Sequence, residues 1–301
     1  MENTIEIRNL NFGFQPGKLI LKNVNMNIPK GSIYGFLGAN GAGKSTTMRL
    51  VMGLFNDTQN SVKVFGETVS EVFPEGLHRI GSLIDYPAFY DHLSGFDNLK
   101  IVCVIRKLDE SKIEEVLSLV GLSKAAKMKM RRYSLGMKQR LAIALALISN
   151  PELLVLDEPV NGLDPAGMME IRELLIQLNQ EHGVTIFISS HLLQEIDKMV
   201  THLAVIADGE IKFEGSKEEL KELYKFQKTR FFMNNAAEFV QFLNSDHEAE
   251  LKSPTEISVV TQSTEEVAVI NKLLTEKGAG IYQISAGGGL EEWFMELTKQ
   301  N

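Results

Sequence analysis

The sequence predicts an α/β protein: a mostly parallel sheet with an inserted helical subdomain, followed by a small α+β unit. Three observations predict it. The stretch Gly38-Ala39-Asn40-Gly41-Ala42-Gly43-Lys44-Ser45-Thr46 lies between an apolar run, Ile33-Tyr34-Gly35-Phe36-Leu37, and a helix-like run, Thr47-Met48-Arg49-Leu50-Val51-Met52. Short apolar strands then alternate with helical patterns, except over residues 86–151, which read as mostly helical. Near Ser216 the character shifts to a charged helix and then to a second pattern of strands and helices.

Bulk properties narrow the classes. The 301 residues suit one large domain or two moderate ones, and 44% hydrophobic with 23% charged residues allows a sizeable core. A formal net charge of −8 argues against a surface that gathers nucleic acid. The single cysteine, Cys103, excludes an internal disulfide framework and suits a reducing compartment. The start, Met1-Glu2-Asn3-Thr4-Ile5-Glu6, is acidic and polar, so no signal peptide is expected. No apolar run approaches the roughly 20 residues of a membrane span. If the protein works at a membrane, another chain must do the spanning.

Taken in order, residues 4–10 and 23–28 read as strands, with the turn-rich Phe12-Gly13-Phe14-Gln15-Pro16-Gly17 between them. Phe14 could stack on a purine ring or simply pack. A strand at 33–37 precedes the glycine-rich loop and a helix follows it. Residues 61–66 suggest a short hairpin and 79–84 a strand. In the helical stretch, Ile113, Val116, Leu117 and Val120 form an inward stripe, and Gly121 ends that helix. Ser134 stands where a helix N-cap belongs, before a helix at 137–149. Strands follow at 153–156 and 184–189, helices at 168–181 and 192–199, and a hairpin turns around Asp208-Gly209. Beyond the charged helix 216–226 come a strand at 229–233, a helix at 236–244, and strands at 249–252 and 256–261. A helix at 264–277, a strand at 280–284 and a helix at 290–299 complete the chain. That β-α-β-β-α-β order is ferredoxin-like. Gly287-Gly288-Gly289 has no lysine after it and reads as a linker.

The glycine-rich loop fits G-x-x-x-x-G-K-[ST]. Its glycines let the backbone curl against an oligophosphate, and its N–H groups and the helix N-terminus offer positive partial charge. Lys44 would bridge the outer phosphates and Ser45 would ligate Mg²⁺. Asp157 and Glu158 end an apolar strand, where a parallel sheet opens its ligand crevice. Asp157 would hold Mg²⁺, and Glu158 could orient and deprotonate an attacking water.

The ordered motifs resemble those of an ATP-binding-cassette (ABC) ATPase subunit of a transporter, a P-loop NTPase of ABC type, over roughly residues 4–216. Tyr133-Ser134-Leu135-Gly136-Met137-Lys138-Gln139-Arg140 stands at the family's signature position. Asn161-Gly162-Leu163-Asp164 stands at the D-loop and Ser189-Ser190-His191 at the switch histidine. The resemblance implies ATP and Mg²⁺ as ligands, with Phe14, Gly38, Asn40, Gly41, Ala42, Gly43, Lys44, Ser45, Thr46 and Asp164 at the nucleotide. It implies that Ser134 and Gly136 meet the γ-phosphate of ATP held by a second copy, and that Glu158, His191 and Lys44 serve hydrolysis, His191 by contacting the γ-phosphate. The signature departs from L-S-G-G-Q at Tyr133, Leu135 and Met137, but keeps the serine and the second glycine. Where the family usually has a glutamine after strand 79–84, this chain has Asp85. That resembles the bacitracin-type and lantibiotic-immunity branch, where glutamate is common there, and suggests Asp85 as a Mg²⁺ sensor.

The implied cycle joins two copies around two ATP molecules, at the cytoplasmic face of a membrane, beside transmembrane permease subunits on separate chains. The segment Leu290-Glu291-Glu292-Trp293-Phe294-Met295-Glu296-Leu297-Thr298 resembles the end of drug- and antibiotic-exporter ATPases. Domains are expected at 1–216, with the helical subdomain at about 86–151, and at 217–301. Rival readings are a soluble ABC ATPase acting on ribosomes or DNA, a regulatory nucleotide module without turnover, and an importer subunit.

Overall fold

The computed structural model describes residues 2–85, 88–223, 227–243, 247–286 and 290–299. The chain divides into two compact units, Met1–Ser216 and Lys217–Asn301. In chain order the first unit runs β1 (Asn3–Phe12), β2 (Leu21–Pro29), β3 (Ile33–Leu37), α1 (Lys44–Val51), β4 (Val62–Val64), β5 (Glu67–Thr68), α2 (Val69–Val72) and β6 (Ile80–Leu83). It continues through α3 (Gly95–Arg106), α4 (Ser111–Leu119), α5 (Leu135–Leu147), β7 (Leu153–Asp157), α6 (Pro165–His182), β8 (Thr185–Ser190), α7 (Leu193–Asp197), β9 (His202–Ala207) and β10 (Glu210–Ser216).

Two sheets result. One is antiparallel, in the order β2-β1-β4-β5; the other has six strands in the order β10-β9-β3-β8-β7-β6. Within the second, β3, β6, β7, β8 and β9 run parallel, and only β10 pairs antiparallel. Strands β3 and β8 are buried along their whole length, which fits a parallel sheet covered on both faces. Helix α1 is wrapped by one hydrophobic core that draws on both sheets: Met48, Leu50 and Val51 pack with Ile5, Ile7, Met26, Phe36 and Phe187. Each such side chain stabilises by about 1.5–3 kcal/mol relative to exposure. A helix held that firmly tolerates a polar N-terminus, Lys44-Ser45-Thr46, that is buried to half-buried.

Between β6 and β7 the chain leaves the sheet for α3, α4 and α5. Ser94 opens α3 with a capping box: its Oγ accepts from Asp97 N at 3.1 Å, while Asp97 Oδ2 accepts from Ser94 N at 3.2 Å. Helix α4 buries Ile113, Val116 and Leu117 and ends before Gly121, whose φ is +69°. Helix α5 is buried on several sides, which marks it as the rod that returns the chain to the sheet.

The second unit comprises α8 (Lys217–Leu223), β11 (Gln227–Met233), α9 (Ala236–Phe239), β12 (Ala249–Ser253), β13 (Glu256–Thr261), α10 (Thr264–Glu276), β14 (Ile281–Ala286) and α11 (Leu290–Lys299). Its strands form one antiparallel sheet, β12-β13-β11-β14, over a core of Phe231, Met233, Ile257, Val259, Ile270 and Leu274. The helix expected at 236–244 is shorter: after α9 the backbone tightens into a 3₁₀ turn at Val240–Phe242. The helix expected at 192–199 likewise contracts to α7. The glycines at 287–289 and the end of the charged helix at 224–226 lie outside the described residues.

Candidate functional site

Register builds the site. Strand β8 lies between β3 and β7, with Leu37 opposite Ser190 and Ser189 opposite Asp157. The loop after β3, His191 after β8 and Glu158 after β7 therefore leave the sheet together at its C-terminal edge.

The loop after β3 forms a cradle. A Cβ at Gly38 would stand 2.6 Å from the Ile206 carbonyl oxygen, so only glycine lets these strands' ends meet. Gly43 sits at φ +117° as the residue before α1, and a Cβ there would strike Leu21. Helix α1 starts at Lys44 with no side-chain cap and no acidic residue in its first turn. Its first N–H groups have no carbonyl within the helix, and no acidic residue of that turn offsets the positive end. Asn40 and Gly41 are exposed, Ala42 is buried, and Ser45 and Thr46 are half-buried at the rim.

Lys44 is 6% exposed. Its Nζ donates to the Gly38 carbonyl at 2.7 Å and the Ala39 carbonyl at 3.3 Å, and lies 3.5 Å from Glu158 Oε1. The other carboxylate oxygen, Oε2, is 2.8 Å from His191 Nδ1. Ser189 ties the acidic pair to β8: its Oγ–H donates to Asp157 Oδ1 at 2.5 Å, and the same oxygen accepts from the Glu158 N–H at 3.0 Å. Glu158 has φ +51°, a left-handed conformation uncommon outside glycine.

The signature segment lies at the start of α5. Ser134 Oγ caps the helix by accepting from Met137 N at 3.2 Å. Tyr133 is buried and its hydroxyl donates to the Ala125 carbonyl at 2.9 Å; burial pushes its phenol above the ordinary value. The aromatic departure at that position thus packs inside the helical subdomain. Gly136 has room: a Cβ would meet only Leu163 Cδ2, at 3.7 Å. Asp164 caps α6, its Oδ1 accepting from Gly167 N at 2.9 Å.

Asp85, at φ +67°, faces a cation. Arg49 Nη2 donates to Asp85 Oδ1 at 2.8 Å and to Oδ2 at 3.1 Å. Arg49 also lies over the Phe55 ring, 5.9 Å from its centre. Phe14 is 62% exposed and meets Phe12 and Phe55 edge-on, each at 5.3 Å between ring centres. Arg49, Phe55 and the double role of Ser189 were not singled out from the sequence. Their partners Asp85, Phe14, Asp157 and Glu158 lie 31 to 41 residues away, beyond what local periodicity reports.

The cradle fits a triphosphate by its glycine geometry, open helix end and buried lysine. Among the described residues no group of three or more His, Cys, Asp and Glu gathers to hold a metal. A nucleotide-borne Mg²⁺ needs none, since it takes phosphate oxygens, waters and one or two protein oxygens. Ser45 and Asp157 offer a hydroxyl and a carboxylate of that kind.

Residues 21–161 match a protein family described as ABC transporter. The bacitracin transport ATP-binding protein BcrA of Bacillus licheniformis is 40% identical over 283 residues, covering 91% of this chain and 90% of that protein. The lantibiotic transport ATP-binding protein SrtF of Streptococcus pyogenes is 44% identical over 227 residues, covering 74% of this chain and 96% of that one. Among solved structures, cbiO1 of Clostridium perfringens, part of the ABC transporter complex cbiONQ, superposes with a TM-score of 0.67. It is 27% identical and covers 74% of this chain and 92% of that chain. The ATP-binding cassette MJ0796, as a dimer bound to ADP and Pi, gives a TM-score of 0.62 at 25% identity, covering 70% and 98%.

Proposed function

The chain belongs to the ABC transporter family as an ATP-hydrolysing subunit that powers a membrane transporter, and from that premise we propose that its cargo is a peptide antibiotic moved out of the cell. The observation that carries the cargo class is the likeness, over nearly the whole chain, to a bacitracin transport protein. The similarity of the relatives favours this reading over a soluble cassette acting on a non-membrane partner.

The site residues take the following roles. Gly38, Asn40, Gly41, Ala42 and Gly43 cradle the phosphates, with Ser45 and Thr46 at the helix start. Lys44 neutralises the outer phosphates, and its present carbonyl partners keep it aimed there. Phe14 takes the adenine on its free face. Ser45 and Asp157 would hold Mg²⁺, which when bound would supply charge neutralisation at the phosphate oxygens. Glu158 orients the attacking water and accepts its proton, while His191 holds the carboxylate from the far side. Asp85 reports nucleotide state toward the permease.

Each copy lacks a cover for its γ-phosphate, and a second copy supplies Ser134 and Gly136. The room at Gly136 supports this: no contact within its own chain demands glycine there. Two ATP molecules then hold two copies together, and hydrolysis lets them part. No helix among the described residues is long and apolar enough to cross a membrane. Likeness to ATP-binding subunits of membrane transporters supports a position on the cytoplasmic face, beside permease subunits on other chains. The second unit, with its order β12-β13-β11-β14, we read as a ferredoxin-like accessory domain.

The test is expression with the permease in a sensitive bacterium. Tolerance to bacitracin or a lantibiotic should rise, and the rise should vanish in Glu158→Gln. An assembled, ATP-hydrolysing transporter that leaves tolerance to both unchanged would overturn the cargo and direction.

A further inference from the structure

Gln139 lies five residues into the segment that starts at Ser134, on the first turns of α5, and is 2% exposed. Its Nε2 donates to the Pro159 carbonyl at 2.5 Å, while its Oε1 is buried without a hydrogen-bond partner. The orientation is fixed, because a reversed amide would set two oxygens against each other. One arm of the buried amide is thus satisfied and the other is not. Pro159 follows Glu158, whose φ of +51° persists only if its surroundings hold it. The holds are Ser189 Oγ on its N–H, Asn161 N–H on its carbonyl at 3.1 Å, and Gln139 on the next carbonyl.

This joins two sites. In the ATP sandwich, on which the inference rests, Ser134 and Gly136 of one copy serve the nucleotide of its partner, whereas Glu158 of that copy serves its own nucleotide. We propose that Gln139 is a positioning residue that couples them: engagement of the start of α5 at one ATP is passed through the Gln139–Pro159 bond to the Glu158 carboxylate at the other. Helix α5 can act as the lever: its first turn is exposed to half-buried, most of its residues from Gln139 onward are buried, and Arg140 Nη2 on Glu170 at 2.8 Å pins it to α6. The residue touches neither nucleotide, so its effect is on how the sites respond to one another.

The experiment uses the full chain assembled with its permease. Parent ATP hydrolysis should be cooperative, with a Hill coefficient above 1. Gln139→Met keeps length and burial but cannot donate. Its Hill coefficient should fall to about 1 and its turnover severalfold, with ATP affinity of the isolated chain unchanged and the melting temperature lowered by only a few degrees. Gln139→Glu should lose cooperativity at neutral pH and regain it, relative to parent, on acidification, because only the protonated carboxyl donates to Pro159. That comparison holds even if Gln139→Met fails to fold. Retained cooperativity in Gln139→Met, or a pH-independent Gln139→Glu, overturns the coupling while leaving the sandwich intact. A Glu158→Gln chain that stays monomeric with ATP overturns the sandwich and the coupling together.

Discussion

His191 Nδ1 lies 2.8 Å from Glu158 Oε2, on the opposite side of the carboxylate from Lys44, whose Nζ is 3.5 Å from Oε1. The group proposed as general base is therefore gripped from both sides, by a residue of β8's end and by the first residue of α1.

Glu158→Gln keeps the shape and removes the base. Turnover should fall by about 10²–10⁴-fold, and an ATP-bound dimer should accumulate on size-exclusion chromatography. His191→Ala should slow turnover without trapping the dimer as completely. A Glu158→Gln protein as active as the parent would strip that residue of its role.

Ser189→Ala removes one donor and one acceptor that lock Asp157 and Glu158. The stability cost should be modest, about 1–3 kcal/mol, since a buried partner is lost but not a charge. Activity should drop by far more than stability. Equal activity at saturating Mg-ATP would mean that the acidic pair needs no such clamp.

Gly136→Ala should fold as well as the parent, because its Cβ finds only ordinary contact with Leu163. It should nevertheless weaken the ATP-dependent dimer, measured in the Glu158→Gln background. A dimer of parental affinity would place the signature away from the partner's phosphate.

Arg49→Ala releases the Asp85 carboxylate. If Asp85 senses Mg²⁺, the freed carboxylate should bind it more readily, lowering the Mg²⁺ concentration for half-maximal hydrolysis; Asp85→Asn should raise it. Coincident Mg²⁺ curves for all three proteins would leave Asp85 with only its ion pair.

Tyr34 is buried, and desolvation first, then the nearby Glu214 charge, push its phenol well above the ordinary value of about 10. A raised folded value means that its contribution is complete below the unfolded value and is lost as pH rises beyond it. Unfolding midpoints in denaturant should therefore decline above about pH 10, and Tyr34→Phe should decline less steeply. Parallel alkaline limbs would assign the loss to other groups.

The sheet and the loop after β3 were legible because their rules are local. An apolar run, a glycine-rich turn and a helix in succession leave few alternatives, and the 153–156 run could only be a buried strand. What sequence could not show were the partnerships. Ser189 meets Asp157 because β8 pairs with β7 in one register; Arg49 meets Asp85 because α1 ends near β6; Gln139 meets Pro159 because α5 returns to the sheet. Each depends on tertiary placement of residues 20 or more positions apart. Helix ends were the other miss: 236–244 keeps an α turn only to Phe239 before the backbone tightens.

Strand β8, buried from end to end between β3 and β7, carries Ser189 and leads directly into His191. Chemistry hung on a central strand inherits that strand's brittleness. Warming should not bring a gradual fading of turnover ahead of collapse; the catalytic edge and the surrounding sheet should give way at one temperature.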